Sequence, residues 1–207
     1  MKRLALLTVA FLLAGCGGTA AKQPSTVAAT TPIPAAAPPP SKGVPIPADA
    51  PAADFALRDQ NGHLVRLSAL HGRLVFISFL YTHCTDVCPL IATSLDDAVR
   101  QLGHAGRDVT VLAVSVDPAG DKPAEVRTFM RERHLGPEFH WLLGTRAQLA
   151  PVWQDYNILV EQRTPEQVAH AAPVFLLDRD GRPRMFYDQP RGSRAFVHDA
   201  RMLLRSS

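Results

Sequence analysis

Cysteine is scarce in this chain, at three among 207 residues. Cys84 and Cys88 stand four positions apart in "FLYTHCTDVCPL", and Cys16 lies far upstream. Domains held together by disulfides join cysteines distant in the chain, and closing so short a loop removes little unfolded-state entropy. The scarcity therefore argues against a disulfide framework and leaves the pair as a redox couple or a metal clamp before a local staple. A bilayer-crossing run is also missing, since the apolar stretch from Leu4 to Leu13 is about half of the roughly 20 residues a spanning helix needs. There is no internal repeat. Neither sign of charge dominates, with 22 Lys and Arg against 19 Asp and Glu mixed through the chain, a balance that does not suit a nucleic-acid partner.

The chain opens with "MKRLALLTVAFLLAGCGG", in which basic residues precede the apolar stretch and small residues run into Cys16. That order is an export signal. Leu13-Ala14-Gly15-Cys16 resembles a bacterial lipobox, which implies a signal peptide over 1–15, lipidation of Cys16, and a domain held at a bacterial membrane on its periplasmic or extracytoplasmic side. Gly17 stands where an aspartate would resemble an inner-membrane retention signal. Residues 16–53 are rich in Ala, Pro, Thr and Ser and nearly devoid of large apolar side chains, so they are expected to form a disordered tether. Fully extended it would reach on the order of 110 Å, and as a flexible coil roughly 35 Å.

Residues 54–207 are the length of one domain. "DFALRDQNGHLVRLSAL" alternates around Asn61-Gly62 and predicts an opening β-hairpin. "RLVFISFLY" (73–81) and "VTVLAVSVD" (109–117) are continuous apolar runs, the mark of strands covered on both faces. Ile91, Leu95, Ala98, Val99 and Leu102 recur at helical spacing after Pro89, which puts Cys88 at or near the helix N-cap. A helix carrying Val126, Phe129, Met130 and Arg133 follows, then a short strand over 139–142, a helix over 146–156, a hairpin turning at Asp178 to Gly181, and a closing helix from about Ser193 to Leu204. This order is that of a single α/β, thioredoxin-like domain with an N-terminal hairpin extension. In open α/β sheets the working groups gather at the carboxyl ends of strands, where Cys84 and Cys88 lie.

Two cysteines at i and i+4 inside a regular helix have Cβ atoms too far apart for a disulfide. If Cys84 sits in the loop and only Cys88 touches the helix, the sulfurs can meet or flank a metal. The helix N-terminus is expected to favour the Cys88 thiolate. Three intervening residues, against the two of the usual redox motif, make metal binding competitive. Copper(I) accepts two thiolates, and copper(II) wants an imidazole as well. Among eight histidines, His83 adjoins Cys84, but neighbours in an extended loop point in different directions. His170 in "VAHAAPVFLLD" precedes a buried strand, in the loop that thioredoxin-like folds carry over the active-site helix. Pro173 is a candidate cis-proline beside the cysteines.

"FLYTHCTDVCPL", "AVSVDPAGDKPAEV", "WLLGT" and "AHAAPVFLLDRDG", in this order, together with "DFALRDQNGHLVRLSALHGR", resemble the Sco/SenC family of copper proteins that help assemble cytochrome c oxidase. The resemblance covers essentially all of 54–205. It implies a copper metallochaperone with Cys84, Cys88 and His170 as ligands and Asp86 and Asp117 as supporting or docking residues. Its implied partners are the oxidase subunit carrying the CuA site, other periplasmic copper carriers and thiol reductants. A carrier needs no turnover chemistry of its own. The rival is a thiol-disulfide reductase of the oxidase's copper-site cysteines, with Cys84 and Cys88 as the redox-active pair. Two positions depart from the family pattern: Thr85 replaces a frequent proline, and Ala-Ala-Pro follows His170. Thr85-Asp86-Val87-Cys88-Pro89 also resembles the peroxidatic motif of peroxiredoxins, a more distant alternative, although those enzymes usually carry proline where Tyr81 stands.

Overall fold

A computed structural model describes residues 42–47, 49–50, 53–164, 167–188 and 191–206. The leader, Cys16 and most of the expected tether lie outside the described residues. The strands are β1 (Val44–Pro45), β2 (Ala56–Arg58), β3 (Leu64–Arg66), β4 (Leu74–Leu80), β5 (Val109–Ser115), β6 (Phe139–Leu142), β7 (Val160–Thr164), β8 (Gln167–His170), β9 (Val174–Leu177) and β10 (Pro183–Tyr187). The helices are α1 (Val87–Gln101), α2 (Pro123–Glu132), α3 (Arg146–Asp155) and α4 (Ser193–Arg205).

The six-stranded sheet runs β1-β10-β9-β4-β5-β6. All seven positions of β4 and of β5 are buried, which is why both read as unbroken apolar runs. Alternate side chains serve opposite faces. Leu74, Phe76 and Leu80 pack with α1, α2 and α4, while Val75, Ile77 and Phe79 pack with α3 and the segments around it. Local chemistry fixes several ends. Thr145 and Gln148 form a reciprocal capping box at the start of α3. Asp59 Oδ1 accepts the Asn61 and His63 amides in the β2–β3 turn, where Gly62 has a positive φ of 85°.

Strand pairing also places the site. β4 runs parallel to β5 with Leu80 opposite Ser115, so the loops 81–86 and 116–122 leave the sheet side by side. β9 runs antiparallel to β4 with Ser78 opposite Val174, bringing the segment 170–173 to the same end.

Three expectations change. The fold begins well before Asp54, because β1 adds to β10 and the amides of Lys42 and Gly43 donate to the Asp199 carboxylate at 2.8–3.0 Å. A Cβ on residue 43 would lie 2.8 Å from the Tyr187 ring, so this close approach requires glycine. Main-chain bonds to one buried carboxylate leave no hydrophobic period to read. Second, β7 pairs antiparallel with β8 as a β7–β8 hairpin, Val160 opposite His170, so His170 ends a strand before the loop to β9. Third, no described peptide bond is cis, and Pro173 instead offers its carbonyl to Ser78 Oγ at 2.9 Å.

Candidate metal centre

The apolar β4 ends at Leu80, and Pro89 falls in the first turn of α1, so the six residues between strand and helix must turn over the sheet end. Cys88 lies one residue inside the helix and is completely buried, whereas Cys84 stands before it with 8% exposure. Both cysteines are free, and the Cys88 amide points at Cys84 Sγ at 3.4 Å. The anionic sulfur is therefore Cys84 and not Cys88, a correction to the expectation from the helix end. A hydrogen bond from the Cys88 thiol is the largest influence. With the amides of Cys88, Asp86 and Val87 it overcomes burial and brings Cys84 from its ordinary 9.0 down to about 5. Cys88, which donates that bond and is more deeply buried, is pushed far up. The exposed N–H groups of a helix start serve the atom in front of them, and that atom is Cys84 Sγ.

His170 approaches from the β7–β8 hairpin. Its ring meets Tyr81 edge to face with centroids 5.6 Å apart. Nδ1 donates to the Ala171 carbonyl at 2.7 Å, which fixes the tautomer and leaves the Nε2 lone pair available to a ligand. Burial lowers the His170 pKa, against the pull of that carbonyl and of the Cys84 charge, so the ring is held neutral as a metal ligand must be. The three donor atoms of Cys84, Cys88 and His170 do not all come within 4.8 Å of one another in this state. Cys84 opens into a cavity of about 430 Å³ whose walls include Tyr81, His83, Arg163 and Val168.

Asp86 is exposed at the N-cap of α1 and contributes its amide to Cys84. Asp117 is completely buried on the neighbouring loop, where its Oδ1 accepts the Gly120 amide at 2.9 Å. Three supporting residues carried no separate signal in the sequence. Asp121 binds the amide and hydroxyl of Thr82 at 2.8 and 2.7 Å and the Ser115 hydroxyl at 2.6 Å, clamping the cysteine loop to β5. Burial raises the Asp121 pKa despite those bonds. Tyr81, raised by burial and then by the charge of Cys84, joins the cysteine loop to the hairpin. Arg163 supplies positive charge at the cavity wall. A polar residue after a buried strand is too common a pattern to single these out.

The SCO1/SenC family model matches residues 45–205. Among curated relatives, an SCO2-like protein of Rickettsia typhi is 28% identical over 134 residues, covering 62% of this chain and 65% of the relative, so the chain spans just under two thirds of that relative's length. Among solved structures, Bradyrhizobium japonicum ScoI with copper bound superposes with a TM-score of 0.66 at 30% identity, covering 74% of this chain and 99% of that one. The solution structure of apo Sco1 from Thermus thermophilus gives a TM-score of 0.68 at 30% identity, covering 79% and 97%. The match extends over nearly the whole described domain, from the edge strand to the last helix, and the chain belongs to the SCO1/SenC family.

Proposed function

We propose that this protein carries copper as cargo and hands it to the CuA site of cytochrome c oxidase, anchored through lipidated Cys16 to a bacterial membrane with its domain in the periplasm or extracytoplasmic space. The observation that carries this reading is the asymmetric cysteine pair: one sulfur held as thiolate at the mouth of α1, the second buried behind it, and a neutral imidazole with a free Nε2 on a separate hairpin. Cys84 captures the ion, and Cys88 gives up its proton as it becomes the second ligand. His170 closes from the hairpin as the nitrogen donor that copper(II) prefers. Because His170 and the sulfurs stand on different elements, opening the hairpin removes one donor before the others, the order that ligand exchange to a partner requires. The bound copper in the B. japonicum relative supports the choice of ion.

The same pair can reduce a partner's disulfide. The Cys84 thiolate attacks one partner sulfur, Cys88 then resolves the mixed disulfide, and two electrons pass to the partner as it becomes a dithiol. Disulfide exchange makes no use of His170, so His170→Ala separates the two readings. The variant is expected to lose the coloured copper(II) complex, retain most copper(I) affinity in chelator competition, and attack a model disulfide at the wild-type rate. Intact copper(II) absorbance with collapsed thiol exchange would replace the carrier reading with the reductase.

A further inference from the structure

Beside the cysteine pair, and independent of the copper reading, lies a donor cluster that contains no sulfur. Among the described residues, His83, Asp117 and Asp121 form the set whose potential ligand atoms all lie within 4.8 Å of one another. We propose that these three residues constitute a second cation site, selective for a divalent first-row ion such as zinc(II) and closed to copper(I).

Asp117 supplies the main argument. Its side chain is completely buried, Oδ1 is bonded to the Gly120 amide, and Oδ2 has no hydrogen-bond partner. A buried carboxylate oxygen without a donor is strongly unfavourable, and such groups in a native fold call for an ion or water that answers them. Oδ2 faces His83 Nδ1 at 3.9 Å, too far for a hydrogen bond. Two ligands each about 2.0–2.2 Å from one ion stand roughly 3–4 Å apart, so the separation suits a shared metal.

Gly120 keeps that space open. A Cβ there would lie 2.2 Å from Asp117 Oδ2 and 2.9 Å from His83 Nδ1, between the two donors. Asp121 is oriented by Thr82 and Ser115, as the outer partners of metal ligands commonly are, and its Oδ2, with a single bond from Ser115, retains a lone pair. Two carboxylates and an imidazole balance the charge of a dication and form a borderline-hard donor set that favours zinc(II), nickel(II) or manganese(II) over a soft monovalent ion. Because His83 precedes Cys84 and belongs to the loop 81–86, an ion here would pin the cysteine loop to the loop 116–122.

The test is zinc stoichiometry by equilibrium dialysis on the untagged, reduced full chain. Wild type is expected to take up two equivalents, one at each site, and Cys84→Ser/Cys88→Ser/His170→Ala to keep one. His83→Ala, at a half-exposed side chain, is expected to weaken the remaining equivalent at least about tenfold, since losing even an outer partner of a ligand costs 10–100-fold. Gly120→Ala is expected to do the same by filling the space, with circular dichroism confirming the fold. Loss of all zinc from Cys84→Ser/Cys88→Ser/His170→Ala while the fold is kept, or an equivalent in that variant that His83→Ala leaves unchanged, would overturn the proposal while leaving the copper reading untouched. Loss of the copper(II) complex in His170→Ala with the second zinc retained would leave this site standing by itself.

Discussion

Replacing Cys88 by alanine should move the titration of Cys84, by an amount that can be worked from the site. The thiol hydrogen bond from Cys88 is the largest influence holding Cys84 at about 5, ahead of the amides of Cys88, Asp86 and Val87. Hydrogen bonds to charged groups are worth about 1.5–3 kcal/mol. At about 1.4 kcal/mol per pKa unit, removing this one raises Cys84 by roughly one to two units. The rate of alkylation at neutral pH is a poor readout. At pH 7 a thiol of pKa 5 is about 99% ionised and one of 9 about 1%, but nucleophilicity falls with basicity (Brønsted slope about 0.4–0.5), so the two effects nearly cancel. The midpoint of the rate against pH avoids that cancellation. Iodoacetamide labelling of the reduced protein, followed by mass spectrometry at Cys84, should show a midpoint near 5 in wild type and a higher one in Cys88→Ala. Linkage gives a second measure. The folded pair holds fewer protons than the unfolded pair over this range, so reduced wild type should gain stability as pH rises from about 5 towards 9. The contribution is lost as pH falls through 5, and above 9 the raised Cys88 reverses the slope. A wild-type midpoint near 9, or no movement in Cys88→Ala, would refute the assignment of the thiolate to Cys84.

Cys84→Ser and Cys88→Ser are each expected to lose tight copper(I) binding in chelator competition, because one thiolate cannot replace a two-sulfur site. Asp199→Ala strands the buried Tyr187 hydroxyl and the amides of Lys42 and Gly43, and should cost about 2–4 kcal/mol in urea unfolding. Cys16→Ala is expected to shift the protein from the membrane pellet to the soluble exported fraction, and retention after a high-salt wash would refute lipid anchoring.

The central strands and all four helices were legible because their residues are in the core. β4 and β5 are buried at every position, and an unbroken apolar run is what such strands must show. The parts that were not legible are held by the main chain or by single polar residues. β1 is two exposed residues tied down by Asp199, which sits far along the chain in α4. β7 buries little, with four of its five residues exposed, so "VEQRT" carries neither the period of a strand nor that of a helix. Its partner β8 contributes Val168 to the core and brings His170 to the site. The element that carries His170, the proposed nitrogen donor, is thus the one with the weakest hydrophobic pattern.

The same limit applies to charge at the cysteines. Proximity to a helix N-terminus was visible in Pro89 and the apolar period behind it, and it pointed to Cys88 as the residue nearest the helix start. Which sulfur profits, however, depends on direction: the first amides of a helix point outward along its axis, towards whatever precedes it. Cys88 is inside the first turn with its side chain buried in the core, behind those amides, so the field that stabilises an anion falls on Cys84. Cys84 can occupy that place because the loop before it is clamped, through Thr82, to Asp121 across the sheet end. A residue 37 positions downstream therefore helps set the reactive sulfur, through a contact that exists only once β4 and β5 lie parallel. Sequence spacing carries the identity of the pair, and the parallel register decides which member of it is the thiolate.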